Sequence, residues 1–348
     1  MRVSLSKSDR SFSVAPEQPV LDAALDAGLN LPHSCKGGNC GACRARLLQG
    51  EVRYPNGRPL GLSDAEVGEG FILLCQARAS SDLSIDTLEM STPEEAVIKR
   101  LPSRIERITA LSHDVMGVFL RLPAAEAFHF EPGQYIDVML PGGRRRSFSI
   151  ASPPHDSRLL ELHIRRVSGG EFTERLFAED ARSTLLSIEG PLGRFVYKLS
   201  PGPPAPMLLV GGGTGLAPLK SIFRHVIENG LDREMILYWG VRGERDLYAH
   251  GELEDLARRT PNFRYRAVLS EPGSTWQGRR GWVHEAVLRD IERLDATDIY
   301  ASGPPAMISA LRRGFELRGA DPARLFFDSF DYAPDSLARQ RSMAATKS

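Results

Sequence analysis

The chain has 348 residues, 42% of them hydrophobic and 25% charged, with 44 Lys plus Arg balanced by 44 Asp plus Glu. That length predicts two or three domains, and the zero net charge excludes a bulk electrostatic pull toward nucleic acid or a membrane surface. No apolar run is long enough to span a bilayer, and "MRVSLSKSDR" has no apolar signal core, so a cytoplasmic protein is expected. In chain order, residues 1–92 form the first predicted domain. "MRVSLS" and "SFSVA" alternate as strands, and "PVLDAALDAGLN" carries apolar residues at helical spacing up to Gly28 and Asn30. The loop "CKGGNCGAC" follows, then a strand in "CRARLLQGEVRY", a remote cysteine in "FILLCQAR" and a closing strand in "DLSIDTL". Residues 93–102 are charged and proline-bearing and read as a linker. Residues 103–200 are strand-like between Gly/Pro turns, with one helix in "EFTERLFAE", which predicts an antiparallel β-barrel of six strands. After "SPGPPAP", residues 205–331 alternate apolar strands ("MLLVGG", "MILYWGV", "FRYRAVLS", "DIYASGP") with helical stretches, the rhythm of a doubly wound parallel sheet. Residues 332–348 form a polar tail expected to be flexible.

The chain's four cysteines, Cys35, Cys40, Cys43 and Cys75, follow C-x4-C-x2-C and then a remote fourth. Plant-type ferredoxins use this spacing to hold a 2Fe–2S cluster on four thiolates. Gly37, Gly38 and Gly41 let the loop curl through positive φ, so that backbone N–H groups can face the sulfurs. A structural zinc ion also takes four thiolates, but commonly from two C-x2-C pairs. A disulfide framework needs an oxidising compartment and a cysteine-dense domain. The cluster uses every cysteine and is the stronger reading. Two strands, a helix, a metal loop and further strands suit a β-grasp ferredoxin module. His33, just before Cys35, reads as a loop histidine because four cysteines already complete the ligand set.

Three weaker patches follow. In "RRRSFSIAS", Arg146 can neutralise a phosphate, Phe148 can cover a flavin or ribityl face and Ser149 can reach a flavin nitrogen. A solvated edge strand is the plainer account of that stretch alone. "SGGEFTERL" puts Gly170 before a helix with Thr173 in its first turn, which is either an anion site or a simple helix cap. "MLLVGGGTGLAP" is a strand, a glycine loop (Gly211, Gly212, Gly213, Thr214, Gly215) and a helix start, suited to a pyrophosphate although it departs from G-x-G-x-x-G. Ser302, Gly303 and Pro304 repeat the design at a later strand end.

The order of cysteine loop, "RSFS", "EGPLGRF", "GGGTGLAP" and "SGPPAM" resembles the ferredoxin–NAD(P)+ reductase superfamily with an N-terminal plant-type ferredoxin. Its members include the reductase components of bacterial oxygenases and, through "LELHIRRVSGGEFTERLF" and "VLSEP…WQGRRGWVHEAVL", the CDP-6-deoxy-3,4-glucoseen reductases. The likeness covers about Met1 to Phe330. It implies FAD held by Arg146, Ser147, Phe148 and Ser149, with the serine near N5, and by Gly170 and Thr173, and it adds His163 to the cofactor set. It implies NAD(P)H phosphates on Gly211 to Gly215 and Pro218, and a nicotinamide edge at Ser302, Gly303, Pro304 and Pro305. Phe330, in "FFDSF", is the candidate aromatic near the flavin. Phe148 stands where the family more often has Tyr, and Ser302 where it usually has Cys; slower or altered hydride transfer is expected from the second change.

Hydride donors give two electrons, a 2Fe–2S cluster accepts one, and a flavin mediates between them. The resulting expectation is an oxidoreductase carrying electrons from NAD(P)H through FAD to the Cys35/Cys40/Cys43/Cys75 cluster and on to a partner protein. That partner is an oxygenase, hydroxylase or deoxysugar dehydrase, and the exposed rim at Lys36, Gly37, Gly38 and Asn39 is the expected exit. Arg242 and Arg245 would suit a 2′-phosphate but read as solvated loop residues, and the resemblance favours NADH. A monomer is expected. Two rivals remain: an NADH oxidase or flavin reductase with an incidental cluster, and a redox-sensing module.

Overall fold

The computed structural model describes residues 1–33, 36–38, 41–87, 98–157, 159–178, 184–198 and 205–330. Cys35, Cys40 and Asn39 therefore lie outside the described residues, as do the first half of the expected linker (93–97) and the whole expected tail. The chain divides into two compact units, one centred on Met1–Glu95 and the other on Ala96–Phe327.

The first unit is built on a five-stranded sheet in the order Ser11–Ser13, Arg2–Leu5, Leu83–Asp86, Arg44–Gln49, Phe71–Leu73. Arg2–Leu5 runs antiparallel to Ser11–Ser13 and parallel to Leu83–Asp86. Alternation buries Val3, Leu5, Leu83 and Ile85 on one face, where helix Val20–Asp26 buries Val20, Leu21, Ala23 and Ala24 in the same core. The stretch expected as one strand, "CRARLLQGEVRY", breaks after Gln49. Its second piece, Val52–Arg53, leaves the sheet to pair with Arg78–Ala79.

The second unit holds two sheets. In the first, the order is Arg145–Ser149, Tyr135–Met139, Leu185–Leu192, Lys99–Ala110, Val115–Arg121, Leu159–Arg165, with every neighbouring pair antiparallel. A bridge between Ile150 and Leu162 links the ends of the two outermost strands. The strand Lys99–Ala110 begins inside the stretch read as linker. Pro102 is tolerated there because that part of the strand pairs on one side only, with Ser187, and the neighbour Val115–Arg121 joins from Arg104 onward.

The other sheet runs Arg279–Arg280, Phe263–Leu269, Met235–Val241, Met207–Gly212, Asp298–Gly303, Leu325–Ser329. Its pairs from Asp298–Gly303 across to Arg279–Arg280 are parallel, as alternation with helices Leu216–Glu228, His250–Arg259 and Val283–Asp290 requires. Helix Pro305–Glu316 then leads to Leu325–Ser329, an edge strand that the periodicity reading misses because it sits in the aromatic run "LFFDSF". The chain steps outward from Met207–Gly212 and then returns to its other side with Asp298–Gly303. The carboxyl ends of those two strands flank the switch point, where open α/β sheets bind ligands. At the opposite end, buried Asp298 is clamped by Arg233 and, at 2.8 Å, by Arg324, which pins the strand that leads to Ser302. Among the described residues, no helix is long and apolar enough to cross a membrane.

Candidate functional site

Cys43 lies just before the strand Arg44–Gln49 and Cys75 just after Phe71–Leu73. These strands pair with Arg44 opposite Leu73, and the Leu74 N–H donates to the Cys43 carbonyl at 3.1 Å. The two buried sulfurs stand 3.1 Å apart, well beyond the ~2.05 Å of a disulfide. Two buried thiols that converge from separate elements without forming a disulfide fit a pair of ligands on one metal centre. The loop that leads to them is tightly folded: Lys36 has φ 51° and Gly38 φ 80°. A side chain at Gly38 would meet Gln76 Cγ at 2.7 Å and Pro59 Cβ at 2.9 Å, so the position admits only glycine. Gln76 Nε2 donates to the Lys36 carbonyl at 2.8 Å, and the Gly61 N–H to the Gly38 carbonyl at 2.8 Å. His33 is buried with its Nδ1 2.8 Å from the Leu31 carbonyl oxygen. Burial pushes the Tyr54 phenol up, aided by the nearby Cys43 and Cys75 and opposed by the Leu73 N–H it accepts at 3.0 Å. Sequence reasoning misses Tyr54 and Gln76; the position of Gln76 directly after a cysteine was the available signal.

In the antiparallel sheet, Arg146 and Phe148 share one face of the strand Arg145–Ser149, opposite Val138 and Ile136, while Ser147 and Ser149 share the other. Ser147 Oγ donates to Asp137 Oδ1 at 2.5 Å. The Phe148 ring packs 5.7 Å from Phe172, so strand and helix Glu171–Ala178 are joined at this point. Thr173 is buried and its hydroxyl braces the preceding turn, accepting from the Val167 N–H at 3.1 Å and lying 3.1 Å from the Gly170 carbonyl. A Cβ at Gly170 would lie 2.7 Å from that hydroxyl. The turn is thus a shallow cradle before a helix start, the form an anion site takes.

At the switch point the two strand tips touch. Gly211 is in register with Ser302. A Cβ at Gly215 would sit 2.1 Å from the Ser302 carbonyl oxygen, and Met307 covers Gly212 and Gly303. Gly213 (φ 55°), Thr214 and Gly215 form a short turn into helix Leu216–Glu228, in which Pro218 is buried. Ser302 is fully buried, whereas Pro304 is exposed and opens the next helix. Arg242 and Arg245 are exposed beyond the tip of Met235–Val241. Phe330, half-buried, directly follows the strand Leu325–Ser329.

One strand, Leu159–Arg165, ties these places together. Glu161 Oε1 lies 3.0 Å from His163 Nε2 and accepts from Lys220 Nζ at 3.0 Å. His163 Nδ1 is 3.0 Å from the Tyr248 hydroxyl, so both ring nitrogens of this expected cofactor residue face protein groups. Burial alone would raise the Glu161 carboxyl, but the His163 hydrogen bond and the charges of His163 and Lys220 hold it down at about 2. Stability from this group is therefore present above the ordinary carboxylate pKa and drains away as pH falls from about 4.5 toward 2. In urea unfolding, Glu161→Gln should cost about 3 kcal/mol at pH 7, with the gap to the parent narrowing below pH 4.5. A gap that stays constant down to pH 3 would contradict this.

Residues 3–80 match the 2Fe-2S iron-sulfur cluster binding domain, residues 102–197 the oxidoreductase FAD-binding domain and residues 209–313 the oxidoreductase NAD-binding domain. The chain is 36% identical over 330 residues to the CDP-6-deoxy-L-threo-D-glycero-4-hexulose-3-dehydrase reductase of Yersinia pestis, covering 95% of this chain and 98% of that one. It is 35% identical over 338 residues to the reductase subunit of an aromatic O-demethylase from Amycolatopsis sp., covering 95% and 99%. Its fold is similar to the crystal structure of the Amycolatopsis cytochrome P450 reductase GcoB, with a TM-score of 0.76 at 34% identity over 95% of this chain and 99% of that one. A cysteine pair, a glycine cradle in an antiparallel sheet and a glycine-lined switch point thus coincide with three matched cofactor domains over nearly the whole chain. The chain belongs to the ferredoxin–NAD(P)+ reductase superfamily with an N-terminal 2Fe–2S domain, and is an NAD(P)H-dependent electron-transfer oxidoreductase.

Proposed function

We propose that this protein is the reductase component of a multicomponent system, drawing electrons from NADH and delivering them to a separate oxygenase, hydroxylase or deoxysugar dehydrase. The observation that carries this reading is the presence, in one chain, of the buried Cys43/Cys75 pair and the glycine-lined contact between the turn at Gly215 and the strand tip at Ser302. Relatives spanning almost the same length are named as reductases of a dehydrase and of a demethylase. The division is residues 1–92, 103–200 and 205–331, followed by the tail 332–348; of the linker 93–102, residues 99–102 already pair within the antiparallel sheet and join the second domain. The parallel pairing of Arg2–Leu5 with Leu83–Asp86 supports a β-grasp module, and the Ile150–Leu162 bridge supports a closed FAD barrel. A cytoplasmic monomer completes the reading.

Flavin, when bound, supplies the conversion of a two-electron donor into one-electron deliveries. Arg146 neutralises its phosphate, Phe148 and Ser149 orient the ring system, and the cradle at Gly170 and Thr173 takes the pyrophosphate. Gly211 to Gly215, with Pro218, hold the nucleotide phosphates, and Ser302, Gly303 and Pro304 border the nicotinamide. Cys35, Cys40, Cys43 and Cys75 ligate the cluster, and Phe330 shields the flavin. Sustained NADH-dependent reduction of cytochrome c tests the reading, since a redox sensor would not turn over. Ser302→Cys should raise the limiting rate of flavin reduction several-fold in stopped flow, because a polarisable sulfur replaces a hydroxyl beside the transfer path. An unchanged rate would remove Ser302 from that path.

A further inference from the structure

The strand Leu159–Arg165 presents Glu161, His163 and Arg165 at alternate positions, hence on one face. All three meet the nucleotide sheet or the helix that leaves its glycine loop. Glu161 receives Lys220 of helix Leu216–Glu228. His163 meets Tyr248 through its Nδ1 and by an edge-on ring contact at 5.3 Å. The Tyr248 ring stands edge-on to Trp239 at 4.9 Å, and Trp239 Nε1 donates to the Gly213 carbonyl at 2.9 Å. Arg165 closes the circuit, its guanidinium lying 3.4 Å from where a Cβ on Gly213 would be. The path is largely buried: the side chains of Glu161 and His163 are 15% and 2% exposed, Tyr248 is half-buried and Trp239 fully buried. A second tie lies alongside, where Ser221 Oγ donates to the Ser152 carbonyl at 2.8 Å. The strand ends at Arg165, and a four-residue turn braced by the Arg166 N–H on the Asp114 carbonyl leads from it to Gly170, so the nucleotide loop and the flavin cradle are neighbours along one short stretch of chain.

We propose that the chain Glu161–His163–Tyr248–Trp239 sets the position of the Gly213 loop relative to the flavin-binding strand, making Glu161, His163 and Tyr248 positioning residues for hydride transfer. This rests on the NADH-to-FAD reading given above. The physical reason is that hydride transfer depends steeply on donor–acceptor geometry, and a misplacement of ~1 Å can cost on the order of 100-fold in rate. A loop fixed only by its own turn would wander; this one is held by a buried indole N–H that is itself wedged by Tyr248.

Tyr248→Phe removes one hydroxyl and keeps the ring, so the variant retains the packing on Trp239. Glu161→Gln is a second, near-isosteric change at the other end of the chain. Both are measured as full-length holoprotein in two ways. Anaerobic stopped flow with NADH should show a limiting flavin-reduction rate about tenfold lower, with NADH affinity changed less than threefold. Hydrogen–deuterium exchange without nucleotide should show faster exchange across residues 211–216 than in the parent; residues 101–110 stay unchanged in Tyr248→Phe, and in Glu161→Gln, which also loses global stability, they rise less than residues 211–216. A parent-like limiting rate with parent-like exchange in both variants overturns the proposal. So does a loss of NADH affinity at an unchanged limiting rate, which would make the network a binding device. A parent protein inert to NADH overturns the underlying reading and this proposal together, and is seen in the parent alone.

Discussion

Cys75→Ser is expected to lower NADH-dependent cytochrome c reduction by about two orders of magnitude while leaving NADH–ferricyanide turnover near the parental level. Cys75 and Cys43 sit side by side in the core of the first unit, held in register by the Arg44–Leu73 pairing and the hydrogen bond from the Leu74 N–H to the Cys43 carbonyl. Serine fills the same space but is a poor ligand for a soft iron–sulfide centre. The sheet therefore survives and the cluster does not. The flavin and nucleotide sites lie in the second unit, which has its own cores and keeps its chemistry. Loss of ferricyanide turnover together with cytochrome c turnover would mean that the cluster domain is needed for flavin reduction, contrary to the electron order drawn here.

Gly215→Ala should act on the other end of the path. Its new methyl would fall 2.1 Å from the Ser302 carbonyl oxygen, 2.6 Å from the Ser302 carbonyl carbon and 3.0 Å from the Gly303 nitrogen. All three are backbone atoms in a buried strand, so no side-chain rotation relieves the overlap, and the turn into the helix must move away from the strand tip. The expected cost is about 1–3 kcal/mol of stability and roughly a 100-fold fall in kcat/KM for NADH, with flavin and cluster absorbance retained. Gly251→Ala is the matching control, because a Cβ there meets nothing within 4 Å. A Gly215→Ala protein with parental NADH kinetics would show that the nucleotide does not approach this junction.

Much of this architecture is legible in the sequence because the signals are strong and local. Alternation of apolar strands with helices announces the parallel sheet, and the glycine loop falls at its switch point. Six strands of the antiparallel sheet are visible as period-two runs. Other features depend on tertiary contacts that no single segment carries. Leu325–Ser329 is hidden in an aromatic run, and its place beside Asp298–Gly303 follows from the sheet order alone. The break after Gln49 arises because Val52–Arg53 finds a partner in Arg78–Ala79. The resemblance expects His163 among the cofactor residues but carries no sign of its protein partners: its link to Tyr248 spans 85 residues of sequence, and that of Lys220 to Glu161 spans 59. The polar alternation Glu161, His163, Arg165 in an otherwise apolar strand was the one available hint.

The path from NADH through flavin to the cluster can be followed by anaerobic titration of the purified protein with NADH, read by visible absorbance and low-temperature EPR. Flavin and cluster bands should bleach together while a rhombic reduced 2Fe–2S signal grows in. Flavin bleaching with an EPR-silent, still oxidised cluster would contradict that path.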